Sequence, residues 1–167
     1  AQAAVDTESM LIVATTMAQV ATDKQQVEPM LKVITQLPEE LGSVENLLTD
    51  NGYFSAANVE HCLQANIEPL LAAGRDKHHP HWEDRFTEPA PLTEPASGVD
   101  RMKHRLKTIQ GRKLFGLRKQ TVEPVFGIIK SVMGFRQFLL RGLDAVQGEW
   151  NLVTMAWNIK RMAVLAA

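Results

Sequence analysis

The sequence predicts an α/β fold in which a mixed sheet is covered by helices and followed by a helical C-terminal part. The first 73 residues alternate short apolar, β-branched runs with segments of helical spacing, which is the pattern of strands and helices in turn. Beyond residue 100 only helical spacing is present. A chain of 167 residues with 45% hydrophobic residues can bury a core of ordinary size.

The first two predicted strands lie in AQAAVD and MLIVATTMAQV, and the polar residues TES between them predict a tight turn. A helix is predicted within residues 25–37, where Pro29 is tolerated near the first turn and Asp23 is expected to cap the N-terminus. The apolar positions at helical spacing in this segment are Val27, Met30, Leu31, Ile34 and Leu37.

The third strand is predicted in ENLLTD, and the turn residues NGYFS follow it. Ser55 is placed to cap a helix over residues 56–65, and NIEPLLAAG predicts a fourth strand. We therefore divide the chain into a sheet-forming core at 1–73, an insertion or loop at 74–100 that contains four prolines, and a helical part at 101–167.

The helical part begins with a basic helix over residues 99–111. A second helix is predicted over 121–138, with interruptions at Gly127 and Gly134, and Pro124 is expected in a first turn. A third helix is predicted over 143–165. Its expected buried side consists of Val146, Trp150, Val153, Trp157, Ile159 and Met162.

The net charge of -1 hides a strong asymmetry. Residues 1–74 hold two of the 18 Lys/Arg and ten of the 19 Asp/Glu, so residues 75–167 hold 16 and nine. Residues 101–122 contain eight Lys/Arg, one histidine, His104, and no Asp or Glu. Such a block suits a polyanion such as nucleic acid, although a solvated helix face would look the same.

Composition excludes several classes of protein. The single cysteine, Cys62, excludes an internal disulfide framework and fits a reducing compartment, and a cytoplasmic location is the default expectation. No apolar run approaches the roughly 20 residues that cross a bilayer, so no membrane partner is expected.

Three residues are the main candidates for chemistry. Asp50 follows a predicted strand, where open α/β sheets present catalytic groups, although the sequence D-N-G also forms turns. Glu123 follows the basic block and is either a functional acid or an acid favoured near a helix N-terminus. Lys130 lies two helical turns later and shares its face. A metal-binding carboxylate beside a phosphate-binding cation would need this arrangement.

Other candidates have simpler explanations. The cluster of His78, His79 and His81 with Asp76, Glu83 and Asp84 lies in a proline-containing loop and completes no zinc pattern, so metal binding there is disfavoured. The three tryptophans are expected to be packing anchors, and Cys62 a structural thiol.

Residues 121–162, TVEPVFGIIKSVMGFRQFLLRGLDAVQGEWNLVTMAWNIKRM, closely resemble the C-terminal signature of DDE transposases from bacterial insertion sequences. The upstream pieces AQAAVD, LLTDNGYFS and GRDKHHPHW resemble the same family in the same order. Glu123 and Lys130 show the family's six-residue gap, and Lys119 takes the spacing of its arginine.

The resemblance implies an RNase H-like fold and two Mg²⁺ or Mn²⁺ ions that act on DNA phosphodiesters. It implies that Asp50 and Glu123 are catalytic metal ligands. Arg118, Lys119, Lys130 and Arg136 would contact the DNA backbone. A bacterial, nucleoid-associated location is expected.

The strand that carries the family's first catalytic Asp is expected to be missing, so the chain is expected to be an inactive fragment without its N-terminal part. That part, or a second copy of the chain, is the expected protein partner. The alternatives are a non-catalytic nucleic-acid-binding module and an inert remnant.

Overall fold

The computed structural model describes residues 1–20, 22–74 and 86–167, and within them the chain is α/β with five α-helices and two small sheets. The chain divides into two compact units. One consists of residues 1–21 and 117–167, and the other of residues 22–116.

In the first unit, β1 (Gln2–Val5) and β2 (Ile12–Thr16) form an antiparallel hairpin, as predicted. Its register pairs Gln2 with Thr16 and shifts between Ala4 and Val5. The turn is held by Asp6, whose carboxylate accepts hydrogen bonds from the Ser9 backbone N–H at 2.7 Å and from the Ser9 hydroxyl at 2.6 Å. The predicted strands and turn are therefore confirmed.

The last helix, here called α5, spans Leu143–Leu165 as predicted and packs against this hairpin. The indole nitrogens of Trp150 and Trp157 donate to the carbonyls of Gln2 and Met10 at 3.2 and 2.9 Å. Both rings are buried, in a core with Ile12, Val125 and Ile129. The expectation that these two tryptophans are packing anchors is confirmed.

The prediction that Ile159 and Met162 lie on the buried side of α5 is wrong, since their side chains are 57% and 49% exposed. The face that packs on the hairpin is set by Trp150 and Trp157, which lie two turns apart. Ile159 follows Trp157 by two positions, which turns it roughly to the opposite side of the helix.

In the second unit, β3 (Asn46–Thr49) and β4 (Glu68–Leu71) pair in parallel, with Asn46 opposite Glu68. The helix α2 (Ala56–Gln64) connects them, and the Ser55 hydroxyl accepts from the Asn58 N–H, which confirms the predicted cap. The helix α1 (Val27–Ile34) is confirmed within its predicted range, but Asp23 does not cap it. Asp23 begins a separate 3₁₀ turn that ends at Gln25.

One mixed sheet was expected, but the described strands form two separate two-stranded sheets. The antiparallel pair belongs to one unit and the parallel pair to the other, and each strand finds its backbone partner within its own unit. The α/β class is thus confirmed, whereas the single sheet is not observed among these residues.

The basic helix is confirmed as α3 (Gly98–Lys107), and α4 (Ile109–Ser131) follows after an extended Thr108. Since α4 begins much earlier than predicted, Pro124 lies inside the helix instead of in its first turn, and Gly127 does not interrupt it. Pro124 is on the exposed side, where water can satisfy the carbonyl that its missing N–H leaves free. None of the helices in the described ranges has the length and apolar character needed to cross a membrane.

Candidate functional site

Asp50 lies immediately after β3 and begins the 3₁₀ turn Asn51–Tyr53. One carboxylate oxygen, Oδ1, accepts a hydrogen bond from the Gly52 N–H at 2.9 Å, and the residue is exposed. Asp50 therefore forms the turn that the D-N-G sequence predicts. Its carboxylate also stands at the carboxyl end of a parallel strand, where it is accessible to a ligand.

A second carboxylate borders the same turn. A Cβ atom added to Gly52 would lie 3.2 Å from Oδ1 of Asp50 and 3.2 Å from Oδ2 of Asp23. Gly52 does not have a positive φ, so what glycine provides here is space between two carboxylates. Sequence reasoning missed Asp23 as a neighbour of Asp50, because it assigned Asp23 to a helix cap.

The two turns are joined by Asn58 of α2, which is buried. Its side-chain nitrogen donates to the Lys24 carbonyl at 2.8 Å and to the Tyr53 carbonyl at 2.6 Å. One amide thus fixes the turn of Asp23 against the turn of Asp50. Asparagine is common in turns and helix caps, so the presence of Asn58 in the sequence gives no signal for this long-range role.

Glu123 is exposed on α4, on the side opposite the buried stripe of Thr121, Val125 and Ile129. Lys130 is exposed seven residues later on the same continuous helix, so the shared face predicted for these two residues is confirmed. The alternative that Glu123 is an acid at a helix N-terminus is wrong, because α4 begins at Ile109.

The predicted DNA contacts all lie in the first unit. Lys119, Lys130 and Arg136 are exposed, and Arg118 is half-buried. Asp50 belongs to the second unit and Glu123 to the first, so a metal site shared by their carboxylates remains a prediction.

The residues around Asp50 fit a hard divalent cation in chemical type. Asp50 and Asp23 offer carboxylate oxygens, which Mg²⁺ and Mn²⁺ prefer. In the described parts of the chain, however, no three His, Cys, Asp or Glu residues cluster as a complete ligand set. The predicted His78, His79 and His81 cluster and Trp82 lie outside the described residues.

Cys62 is fully buried on α2, and this burial raises the pKa of its thiol to about 12. A thiol with such a pKa is protonated at neutral pH and is a poor nucleophile. The expectation of a structural cysteine is confirmed.

The comparison with protein families finds a similarity in the C-terminal part of the chain. The family model of the transposase DDE domain matches residues 92–163, a segment that contains Glu123 and Lys130 and leaves Asp50 outside. This match confirms the resemblance to DDE transposases as that of a fragment. The family is one of enzymes that act on DNA with divalent metal ions. Neither the curated proteins nor the solved structures contain a match.

Proposed function

We propose that this chain is part of an insertion-sequence DNA transposase that cleaves DNA and transfers its strands with Mg²⁺ or Mn²⁺. The observation that carries this proposal is the DDE-domain match over residues 92–163. Within that segment Glu123 and Lys130 share one exposed helix face, as a metal ligand and a phosphate ligand would. The place of action would be the bacterial cytoplasm, at the nucleoid.

Asp50 and Glu123 are the proposed catalytic carboxylates. Two bound ions would supply an activated water or 3′-hydroxyl and would neutralise charge at the scissile phosphate. The part of this chain is to hold those ions through carboxylate oxygens. Lys130, Lys119, Arg118 and Arg136 are proposed to contact phosphates of the DNA backbone, which positions the strand without reading its sequence.

The proposed complete fold is RNase H-like. It is supported by the placement of Asp50 between a strand and a turn and by the small size of both sheets, each of which consists of two strands in the described residues. A further strand bearing the first catalytic Asp would lengthen such a sheet and supply the third carboxylate. An upstream segment of the same protein, or a second copy of the chain, is the proposed source.

The proposal is tested by nicking of supercoiled plasmid in Mn²⁺ with the full reading frame. Asp50→Asn and Glu123→Gln should each abolish nicking, whereas Asp144→Asn, an exposed acid on α5, should leave it unchanged. Nicking that persists in both catalytic variants would show that these carboxylates do not hold the metal.

The 167-residue chain alone should not cleave DNA, because two carboxylates leave at least one ion under-coordinated. Adding the upstream segment should restore cleavage, and adding it with its Asp changed to Asn should restore folding only. If the full reading frame binds DNA but never cleaves it, the protein is a non-catalytic binding module. Cleavage by the isolated chain that Glu123→Gln abolishes would show that it is not an incomplete core.

A further inference from the structure

The helix α3 carries five of the basic side chains that precede α4, and three of them have partners within the second unit. Arg105 donates to Asn46 Oδ1 at 2.8 Å and to Glu68 Oε2 at 3.3 Å. Arg101 donates through Nε to the Ala96 carbonyl, and His104 contacts the Ala90 carbonyl at 2.8 Å. These groups hold α3 in place, which makes them poor candidates for binding a ligand.

Lys103 differs from them because its ammonium lies over an aromatic ring. Its Nζ is 5.8 Å from the centroid of Phe54, and Lys103 itself is exposed. Phe54 ends the 3₁₀ turn that Asp50 begins. A cation on α3 is thereby held against the segment that presents the candidate metal ligand.

The helix α3 packs closely against α2, and this contact fixes its position. Gly98 lies so close to α2 that an added Cβ would come within 2.8 Å of the Leu63 side chain. The neighbouring acid on the helix, Asp100, accepts a 2.6 Å hydrogen bond from the Ser97 hydroxyl. That hydrogen bond, with a smaller contribution from the positive charge of Lys103, lowers the pKa of Asp100. Lys107 is exposed one turn beyond Lys103.

We propose that Lys103, positioned by the Phe54 ring, binds a backbone phosphate of the DNA strand that occupies the Asp50 site. The positive charge of this face of α3 favours an anionic ligand, because Lys103 and Lys107 present two ammonium groups there. The phosphodiester is the anion of the proposed substrate. The ring holds the ammonium by attraction to its π face. Lys103 is a positioning residue, and this inference rests on the proposed function.

The test is the affinity of the full chain for a fluorescein-labelled DNA duplex, measured by anisotropy across a series of salt concentrations. Lys103→Gln should weaken binding and reduce the slope of log affinity against log salt by about 1, since one phosphate contact is lost. Phe54→Leu should weaken binding without changing the slope, because the charge remains. Lys32→Gln is the matched control, since it removes an exposed charge from α1 in the same unit.

The outcomes separate this inference from the proposed function. If Lys103→Gln keeps the wild-type slope while replacement of Lys113, Arg118 and Lys119 by Ala removes binding, Lys103 is not a phosphate contact and the DNA-binding proposal stands. If Lys32→Gln lowers the slope as much as Lys103→Gln does, the effect is one of net charge and the inference is wrong. If the wild-type affinity does not depend on salt, DNA binding itself is contradicted. Equal thermal unfolding temperatures for all variants would exclude misfolding as the cause.

Discussion

At the scale of single residues, the space left by Gly52 brings two carboxylates to one turn. Asp23 and Asp50 lie far apart in the sequence, and both border the same α-carbon because Asn58 bonds to the backbone of both turns. Carboxylate oxygens are the ligands that hard divalent cations prefer. We therefore expect the Asp50 turn to respond to divalent ions.

Gly52→Ala should weaken Mn²⁺ binding more than it lowers stability. The added methyl group would displace the Asp23 and Asp50 oxygens by a few tenths of an ångström, and both side chains are exposed enough to move. Isothermal titration with Mn²⁺ beside urea unfolding measures both effects. Unchanged Mn²⁺ affinity in this variant would show that the two carboxylates do not act together.

Asp6 predicts a pH dependence of the hairpin. Partial burial raises its pKa, but the hydrogen bonds from Ser9 and the neighbouring backbone outweigh this effect and hold the pKa below its ordinary value. A lowered folded-state pKa contributes stability that is present above the unfolded-state pKa and is lost as pH falls through the folded one. The unfolding free energy should therefore fall below about pH 4. Asp6→Asn should reduce this acid dependence, as urea unfolding at several pH values would reveal.

At the scale of elements, local signals were reliable where they were self-contained. Ser55 before an apolar helix, the TES turn and the limits of α5 were all predicted, because caps, turns and periodicity act over a few residues. The start of α4 was missed, because Pro124 was expected in a first helical turn and instead lies inside the helix. Ile159 and Met162 were wrongly assigned to the buried side of α5, because helical periodicity reveals an apolar face but not which face packs against the rest of the protein.

Asn158 joins the helix α5 to β2 through its side chain. We therefore predict that removal of this side chain lowers the unfolding free energy strongly. Its amide oxygen accepts from the Ile12 N–H and its amide nitrogen donates to the Ile12 carbonyl, both at 2.8 Å. Asn158→Ala should lower the unfolding free energy by about 2 kcal/mol, since two partly buried backbone groups lose their partners. Lys160→Ala is the control: Lys160 is exposed on the same helix, so its change should stay within about 0.5 kcal/mol. Equal losses in urea unfolding would contradict the prediction.

Gly127 in α4 predicts a stabilising substitution. It is exposed inside a helix, and a Cβ added there would meet no other described atom within 4 Å. Gly127→Ala should raise the unfolding free energy by about 0.5 to 1 kcal/mol, because alanine loses less backbone entropy in a helix. Gly148→Ala in α5 has the same open surroundings and should give a similar gain. A loss confined to Gly127→Ala would indicate that another molecule or segment packs against that position.

At the scale of the whole molecule, the dominant feature is the separation of charge along the chain. The charges of the acidic residues 1–74 and the basic residues 75–167 nearly cancel, so net charge alone hides the basic character of the second segment. The sequence revealed this asymmetry, but it could not distinguish basic residues that bind a ligand from those that hold the fold. Arg105, with its bonds to Asn46 and Glu68, is of the second kind.

The chain should bind DNA weakly and without sequence preference, with an affinity that falls steeply as salt rises, because each phosphate contact releases counterions. Replacing Lys113, Arg118 and Lys119 together by Ala should flatten this dependence by a slope of about 2 to 3. Anisotropy with two duplexes of unrelated sequence measures both properties. Full binding by the triple variant would contradict the prediction.

The contact between Asn158 and Ile12 also determines how the hairpin can grow. An amide that both donates to and accepts from one residue imitates an adjacent strand, so the outer border of β2 is protected there against addition of another chain. On the other strand of the hairpin, the indole of Trp150 donates to the Gln2 carbonyl of β1. A further strand added along β2 at Ile12 would first have to displace the Asn158 amide, so the hydrogen bonds that fasten α5 to the hairpin also limit the growth of its sheet.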